Sequence, residues 1–402
     1  MPESQPARAS ALWQPQSHIP QLDGVRGLAI LIVTLYRFSK ELPTDSWLGQ
    51  SLSLFFSLGD RGVDLFFVLS GFLITGILID AKGSRHYFTS FLARRSLRIF
   101  PLYFAALFLF LVASQWVPAF RGMFALADEN QFYLWTYLTN IKMSLDGAWN
   151  FGYLDHFWSL AVEEHFYLVW PLALFLCCRN TALKLACILA ASSATTRIAF
   201  ATTSDNGLAP AVLTLFRCDA LLIGAMLALQ IRSPRGLAPI QRWALAVFPV
   251  CLAIGVATSI LDKRLFTLPN TLWPLLWACV LVWLLQGHET RLLARFFNLS
   301  ILRKLGKFSY AMYVFQSPLI PIVGVVCSVP ILTSLTGNAV VGNLLYMSAM
   351  FSLTYGAALL SWHLLEKHCL KLKDWFPTHK PAVERSAHTA RQSSGRSLPE
   401  LA

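Results

Sequence analysis

The chain has 402 residues, of which 55% are hydrophobic and only 13% are charged. A water-soluble protein carries about 25% charged residues, so there are too few charges here to coat an aqueous surface, which excludes a soluble globular enzyme. The formal net charge of +12 fits the Lys and Arg that collect in the cytoplasmic loops of membrane proteins. No nucleic-acid-binding motif accompanies the basic stretches, so nucleic acid is not an expected partner.

Residues 1–21 are polar and lack the apolar core of a cleavable signal peptide; they read as a cytoplasmic tail. Apolar runs then recur along the chain, each long enough to cross about 30 Å of hydrocarbon. They predict about ten transmembrane helices, at 22–39, 62–80, 99–117, 160–178, 183–201, 211–230, 243–261, 269–286, 308–329 and 340–364. The fold class is therefore all-α, a polytopic integral membrane protein with one membrane domain over 22–367. Residues 368–402, rich in Ser, Arg and Pro, are expected to form a disordered cytoplasmic tail.

Basic residues alternate around these spans. Arg8, Arg26, Lys82, Arg85, Arg94, Arg95, Arg98, Arg179, Arg232 and Arg303 fall on one side; Lys40, Arg61, Arg121, Lys142, Lys263 and Arg264 fall on the other. The positive-inside rule then places both termini in the cytoplasm. The longest outer connection, 118–156, carries Tyr133, Trp135, Trp149 and Tyr153, as expected of a segment at the lipid interface or over a cavity. The eight cysteines have neither metal-ligand nor disulfide-framework spacing and read as small buried hydrophobes; no metal is predicted.

Ionisable groups inside spans are costly and mark function unless they pair. Arg197 and the Arg217/Asp219 pair read best as helix-to-helix salt bridges. Glu163 and Glu164 are different: adjacent helical residues point about 100° apart, so one partner cannot neutralise both, and a polar cavity explains them better. Arg26 and Arg37 share a helix face roughly 16 Å apart. Asp64 opens the second span. Arg95 and Arg98, with Arg94 beside them, enter the third. They are either positive-inside anchors or a phosphate clamp, because guanidinium forks match phosphate oxygens.

Six blocks in order carry a family resemblance: LDGVRGLAILIVTLY (22–36), GVDLFFVLSGFLIT (62–75), FLARRSLRIFPLYF (91–104), HFWSLAVEEHFYLVWPL (156–172), FRCDALLIGAML (216–227) and LGKFSYAMYVF (305–315). With these the chain resembles the acyltransferase-3 family, integral membrane enzymes that move acyl groups onto hydroxyls of glycans and related acceptors. The resemblance implies a multi-pass protein of the bacterial inner membrane. It implies an acyl-CoA donor, commonly acetyl-CoA, entering from the cytoplasm with its phosphates near Arg94, Arg95 and Arg98. It implies a glycan or lipid-linked sugar as acceptor, and a cavity lined by Arg26, Arg37, Asp64, Glu163 and Glu164. The oligomeric state is left open.

Two positions depart from the family pattern. Its first span carries a basic residue, ten others, then a histidine; here these are Arg26 and Arg37. The near-terminal block often ends in histidine, where this chain has Gln316. Arginine has no acceptor lone pair, and neither residue titrates near neutrality, so the proton of an attacking hydroxyl must go elsewhere: Asp64, Glu163, Glu164, His156 or His165. Arg37 would keep an electrostatic role at the oxyanion. The rival reading is a family member that has lost its chemistry and binds, translocates or scaffolds a lipid-linked glycan.

Overall fold

The computed structural model describes residues 19–118, 120–261, 269–286 and 291–376. Arg8, Lys263, Arg264 and most of both predicted tails lie outside them. Among the described residues the chain is helical and contains no strand.

Helices α1 (Pro20–Phe38), α2 (Trp47–Ser57) and α3 (Gly62–Ala81) precede α4 (Tyr87–Leu107). Short helices α5 (Ala125–Glu129), α6 (Gln131–Trp135) and α7 (Thr139–Asp146) occupy the long connection. A 3-10 turn, Gly152–Phe157, leads into α8 (Trp158–Leu176). Then come α9 (Arg179–Thr203), α10 (Ala209–Val212), α11 (Thr214–Ile231), α12 (Ala238–Leu261), α13 (Pro269–Gln286) and α14 (Arg291–Phe297). The chain continues through α15 (Ser300–Phe315), α16 (Leu319–Gly324), α17 (Val329–Thr336), α18 (Ala339–Ser361) and α19 (Lys367–Lys371).

Each predicted span falls on a helix. Seven helical segments among the described residues are long and apolar enough to cross a membrane. The predicted spans outside that group follow α1, which carries Asp23, Arg26 and Arg37, and the shorter α13 and α15. Two spans differ from their expected limits. The third begins earlier, at Tyr87, and puts Arg94, Arg95 and Arg98 inside a helix; after Pro101 it loosens into a π turn, Phe108–Val112. The span expected at 308–329 is broken between α15 and α16, where Pro318 disfavours a continuous helix.

Helices α3 and α11 form the centre: 72% of the membrane-crossing window is buried in the segments that contain them, against 17% for α12. The outer helices turn large apolar side chains outward, among them Leu168, Val169, Leu172 and Leu176 on α8 and Trp243, Leu245 and Val250 on α12. Water would not tolerate so much exposed hydrocarbon; lipid does. The chain is a multi-pass membrane protein.

In lipid, apolar burial does not drive one helix onto another, so close packing through small residues does. A β-carbon added to Gly27 would lie 1.8 Å from the carbonyl oxygen of Leu302, and one on Gly306 equally close to that of Asp23. Helices α1 and α15 therefore touch backbone to backbone. The α3–α11 crossing is built the same way: a β-carbon added to Gly71 would lie 1.8 Å from the Leu221 carbonyl oxygen, and one on Gly224 1.9 Å from that of Val68. At one end of the bundle Arg232 grips Asp80 with two bonds of 2.8 and 2.7 Å, and Lys82 donates to the last carbonyls of α8, Leu174 and Cys177, at 2.6 Å each.

These crossings generate a stability prediction. Gly27→Ala and Gly224→Ala should each destabilise the detergent-solubilised protein by about 1–3 kcal/mol, the usual cost of overpacking. Gly356→Ala, whose β-carbon would meet nothing within 4 Å, should be neutral or mildly stabilising. Thermal unfolding of the three variants checks the order.

Candidate active site

Two chambers lie at opposite ends of the same face of α1. The first holds about 740 Å³ of empty space and is lined by Arg26 from α1, Ser70 from α3, Arg95 and Arg98 from α4, and Glu163 and Tyr167 from α8. The three-residue spacing of Arg95 and Arg98 puts both on one helix face, and the four-residue spacing of Glu163 and Tyr167 does the same opposite them. Arg95 donates to the Tyr167 hydroxyl at 2.9 Å and stacks on its ring, 4.5 Å from the centroid. That hydroxyl also shares a 2.5 Å bond with Ser70. Arg26 pairs with Asp23 at 3.5 Å. Arg98 forms no ion pair or hydrogen bond among the described residues. The chamber thus brings three guanidinium groups to one lining carboxylate.

The second chamber, with about 1340 Å³ of empty space, is lined by Arg37, Asp64, Asp155, His156 and Arg217. Trp149 closes it from the long connection. Val63 and Tyr313 line both chambers and form the wall between them. Asp64 is ion-paired with Arg217 and lies 3.9 Å from Arg61; Arg61 in turn donates to Asn270 at 2.9 Å. Arg217, Asp219 and Arg197 form helix-to-helix salt bridges, as expected. Arg217 bridges α11 to α3, and Asp219 pairs with Arg197 of α9 at 2.8 Å, both fully buried. Bridges of this kind hold helices together, and breaking one strands a buried charge.

The remaining predicted residues stand apart from both chambers. Glu164 is half-buried and lines neither. His165 binds the Thr214 hydroxyl at 2.7 Å, a hydroxyl that also receives Asn140 of α7 at 2.8 Å, so its imidazole joins α7, α8 and α11. Arg94 turns to the C-terminal segment and donates to the carbonyls of Lys373 and Phe376 at 2.9 and 3.0 Å. Gln316 is fully buried and receives a 3.2 Å bond from Thr34 of α1. Among the described residues no group of three or more His, Cys, Asp or Glu converges in a way that could hold a metal.

Sequence reasoning missed Tyr167 and Ser70, although the four-residue spacing from Glu163 could have revealed the former. It also missed Lys373, which faces Arg98, Arg95, Arg94 and Arg26. That residue is remote in sequence and carries no local signal; only the fold brings it near the arginines of the first chamber.

An acyltransferase-domain family model, that of acyltransferase-3, matches residues 19–363. The O-acetyltransferase OatA of Staphylococcus aureus (strain NCTC 8325) is 27% identical over 337 residues, covering 78% of this chain and 52% of the relative. The peptidoglycan O-acetyltransferase OatA of Listeria monocytogenes is 30% identical over 162 residues, covering 39% of this chain and 24% of the relative. The chain thus spans at most about half the length of these curated relatives. No solved structure matches it.

The Arg94 contacts make a prediction. Arg94→Ala removes two charge-assisted bonds to the C-terminal segment, each of roughly 1.5–3 kcal/mol. Trypsin cleavage after Lys371 or Lys373 in the folded, detergent-solubilised protein should accelerate by at least about tenfold, as followed by mass spectrometry.

Proposed function

The chain belongs to the acyltransferase-3 family, and from that premise we propose that it is an O-acyltransferase moving an acyl group, most simply acetyl, from acyl-CoA to a hydroxyl of a glycan or lipid-linked sugar. The named relatives, O-acetyltransferases of which one acts on peptidoglycan, support a cell-wall glycan as the acceptor class. The site is proposed to lie in a bacterial inner membrane, with the Arg98 chamber opening to the cytoplasm and the Arg37 chamber to the outer side. That sidedness follows the positive-inside asymmetry of the loops.

The observation that carries the reading is the excess of guanidinium in the first chamber. Arg26, Arg95 and Arg98 face one another across a cavity in which, among the described residues, Glu163 is the one lining carboxylate. Such a site favours a polyanion, and guanidinium groups suit phosphate best. Arg95 and Arg98 are proposed to hold the phosphates of the donor, with Arg26 beside them, while Arg94 fastens the segment that covers the mouth. Glu163 stands in the field of Arg95 and Arg26 and is proposed to hand a proton to the departing thiolate. Arg37 is proposed to stabilise the tetrahedral oxyanion from the second chamber. Asp64 would hold Arg217, while Glu164 and His165, outside the chambers, would support the α8 face.

The second reading, a binding or translocating protein without chemistry, is favoured by one observation: Arg37 and the buried, hydrogen-bonded Gln316 occupy the family's histidine positions. Turnover separates the two. Membranes carrying the natural chain should transfer label from acetyl-CoA, and Glu163→Gln should lower kcat by about 10²-fold, the low end for a proton-transfer group. If only Arg37→His membranes are active, the natural chain is the non-catalytic relative. If Glu163→Gln retains full activity, the proton on the donor side is handled elsewhere.

A further inference from the structure

His156 is 2% exposed, and neither of its ring nitrogens makes a well-formed hydrogen bond, the nearest groups being the backbone of Val314, Tyr313 and Tyr153. A buried imidazole so loosely paired is costly, and native structures rarely keep one without use. Its place is held firmly. The 3-10 turn Gly152–Phe157 delivers it, and its backbone carbonyl accepts bonds from the Tyr313 hydroxyl at 3.0 Å and from Ser159 at 3.2 Å. Its ring packs edge-on against Phe157 and Tyr313, with centroids 4.7 and 5.2 Å apart. The ring is thus clamped in the wall of the chamber that also holds Arg37.

Arg37 apart, the charged groups of that chamber among the described residues are already engaged. Asp64 is paired with Arg217 from α11, and Asp60 lies 3.2 Å from Arg61, both just ahead of or within α3. Asp155 accepts the Phe151 amide at 2.9 Å. Lys40, past the end of α1, sits over the Tyr36 ring at 3.8 Å, and the Tyr313 hydroxyl of α15 is occupied by Ser159 and the His156 carbonyl. Among the described residues that line the chamber, His156 is the side chain that keeps an acceptor nitrogen when neutral.

Resting on the acyltransferase reading, we propose that His156 accepts the proton of the acceptor hydroxyl in the Arg37 chamber, doing from the start of α8 what a histidine at position 37 would do from α1. The hydroxyl proton passes to a ring nitrogen as the oxygen attacks the acyl carbon, beside the Val63–Tyr313 wall common to both chambers. The carbon–sulfur bond breaks, and the thiolate leaves with a proton from Glu163. The proton held by the imidazolium then returns to Glu163 through water, so the cycle conserves protons. Arg37, in the same chamber, faces the oxyanion.

The test uses the full chain in membranes with labelled acetyl-CoA, following label released to water and label transferred to an added N-acetylglucosamine tetramer. His156→Gln should lower kcat by at least about 10²-fold with little change in KM for acetyl-CoA, and should abolish the acid limb of the pH–rate profile. Carbethoxylation of folded wild type should inactivate it in step with labelling of His156 by mass spectrometry, and hydroxylamine should restore activity; this arm does not depend on the variant folding. An active wild type with an equally active His156→Gln and an unchanged pH profile overturns this inference alone, as does full carbethoxylation of His156 without loss of activity. A wild type silent toward acetyl-CoA in both assays removes the acyltransferase reading and this inference together.

Discussion

Eleven-residue spacing puts two arginines of helix α1 on one face, and glycine contacts with its neighbours decide where that face points. With Gly27 against the Leu302 carbonyl and Gly306 against that of Asp23, α15 lies too close for any side chain to intervene. The Arg26–Arg37 face of α1 is then turned toward α3, α4 and α8, and the arginines, three turns apart, open into separate chambers. The matching crossing of α3 with α11 fixes Ser70 and Asp64 at the two levels of those chambers. Without such crossings, helices in lipid have only weak reasons to choose one mutual rotation, and the charged groups would not converge.

The buried charges fall into two physical classes. Arg197 with Asp219, Arg217 with Asp64 and Arg232 with Asp80 are matched pairs joining helices. Each resolves its own desolvation, and none calls for a ligand. The Arg98 chamber is unbalanced. With Asp23 beside Arg26 and Glu163 beside Arg95, Arg98 has only the half-buried Glu366, beyond ion-pair contact, and Lys373 adds another positive charge nearby. A cation held in a low-dielectric site without a contacting counter-ion is unfavourable, so the structure is poised for an anion to complete it. In the second chamber what is missing is a well-formed hydrogen bond: the His156 ring is only loosely paired with backbone, and the Nε of Arg37 lacks a partner, as befits a place where a neutral hydroxyl arrives.

Much of this was legible in the sequence. Long apolar runs located the helices, since in lipid every spanning segment must satisfy its own backbone. The adjacency of Glu163 and Glu164 marked a cavity, and the three-residue spacing of Arg95 and Arg98 marked a shared face. Helical periodicity could not say which carboxylate faced that cavity. Glu163 does, while Glu164 looks away and His165 is spent on Thr214. It marked Arg217 and Asp219 as helix-to-helix bridges but could not name their partners: residues two apart point to different sides of a helix, and each found its partner on another helix. The contribution of Lys373 was invisible for the same reason, because long-range convergence leaves no local pattern.

The account rests on the first chamber recognising the phosphates of a thioester donor. Calorimetric titration of the purified full chain with CoA and with pantetheine, which has the thiol arm but no phosphate, tests this most directly. CoA should bind at least about tenfold more tightly, a difference of about 1.4 kcal/mol, and the advantage should shrink as salt is raised. Equal affinity for the two, unchanged by salt, would contradict the account.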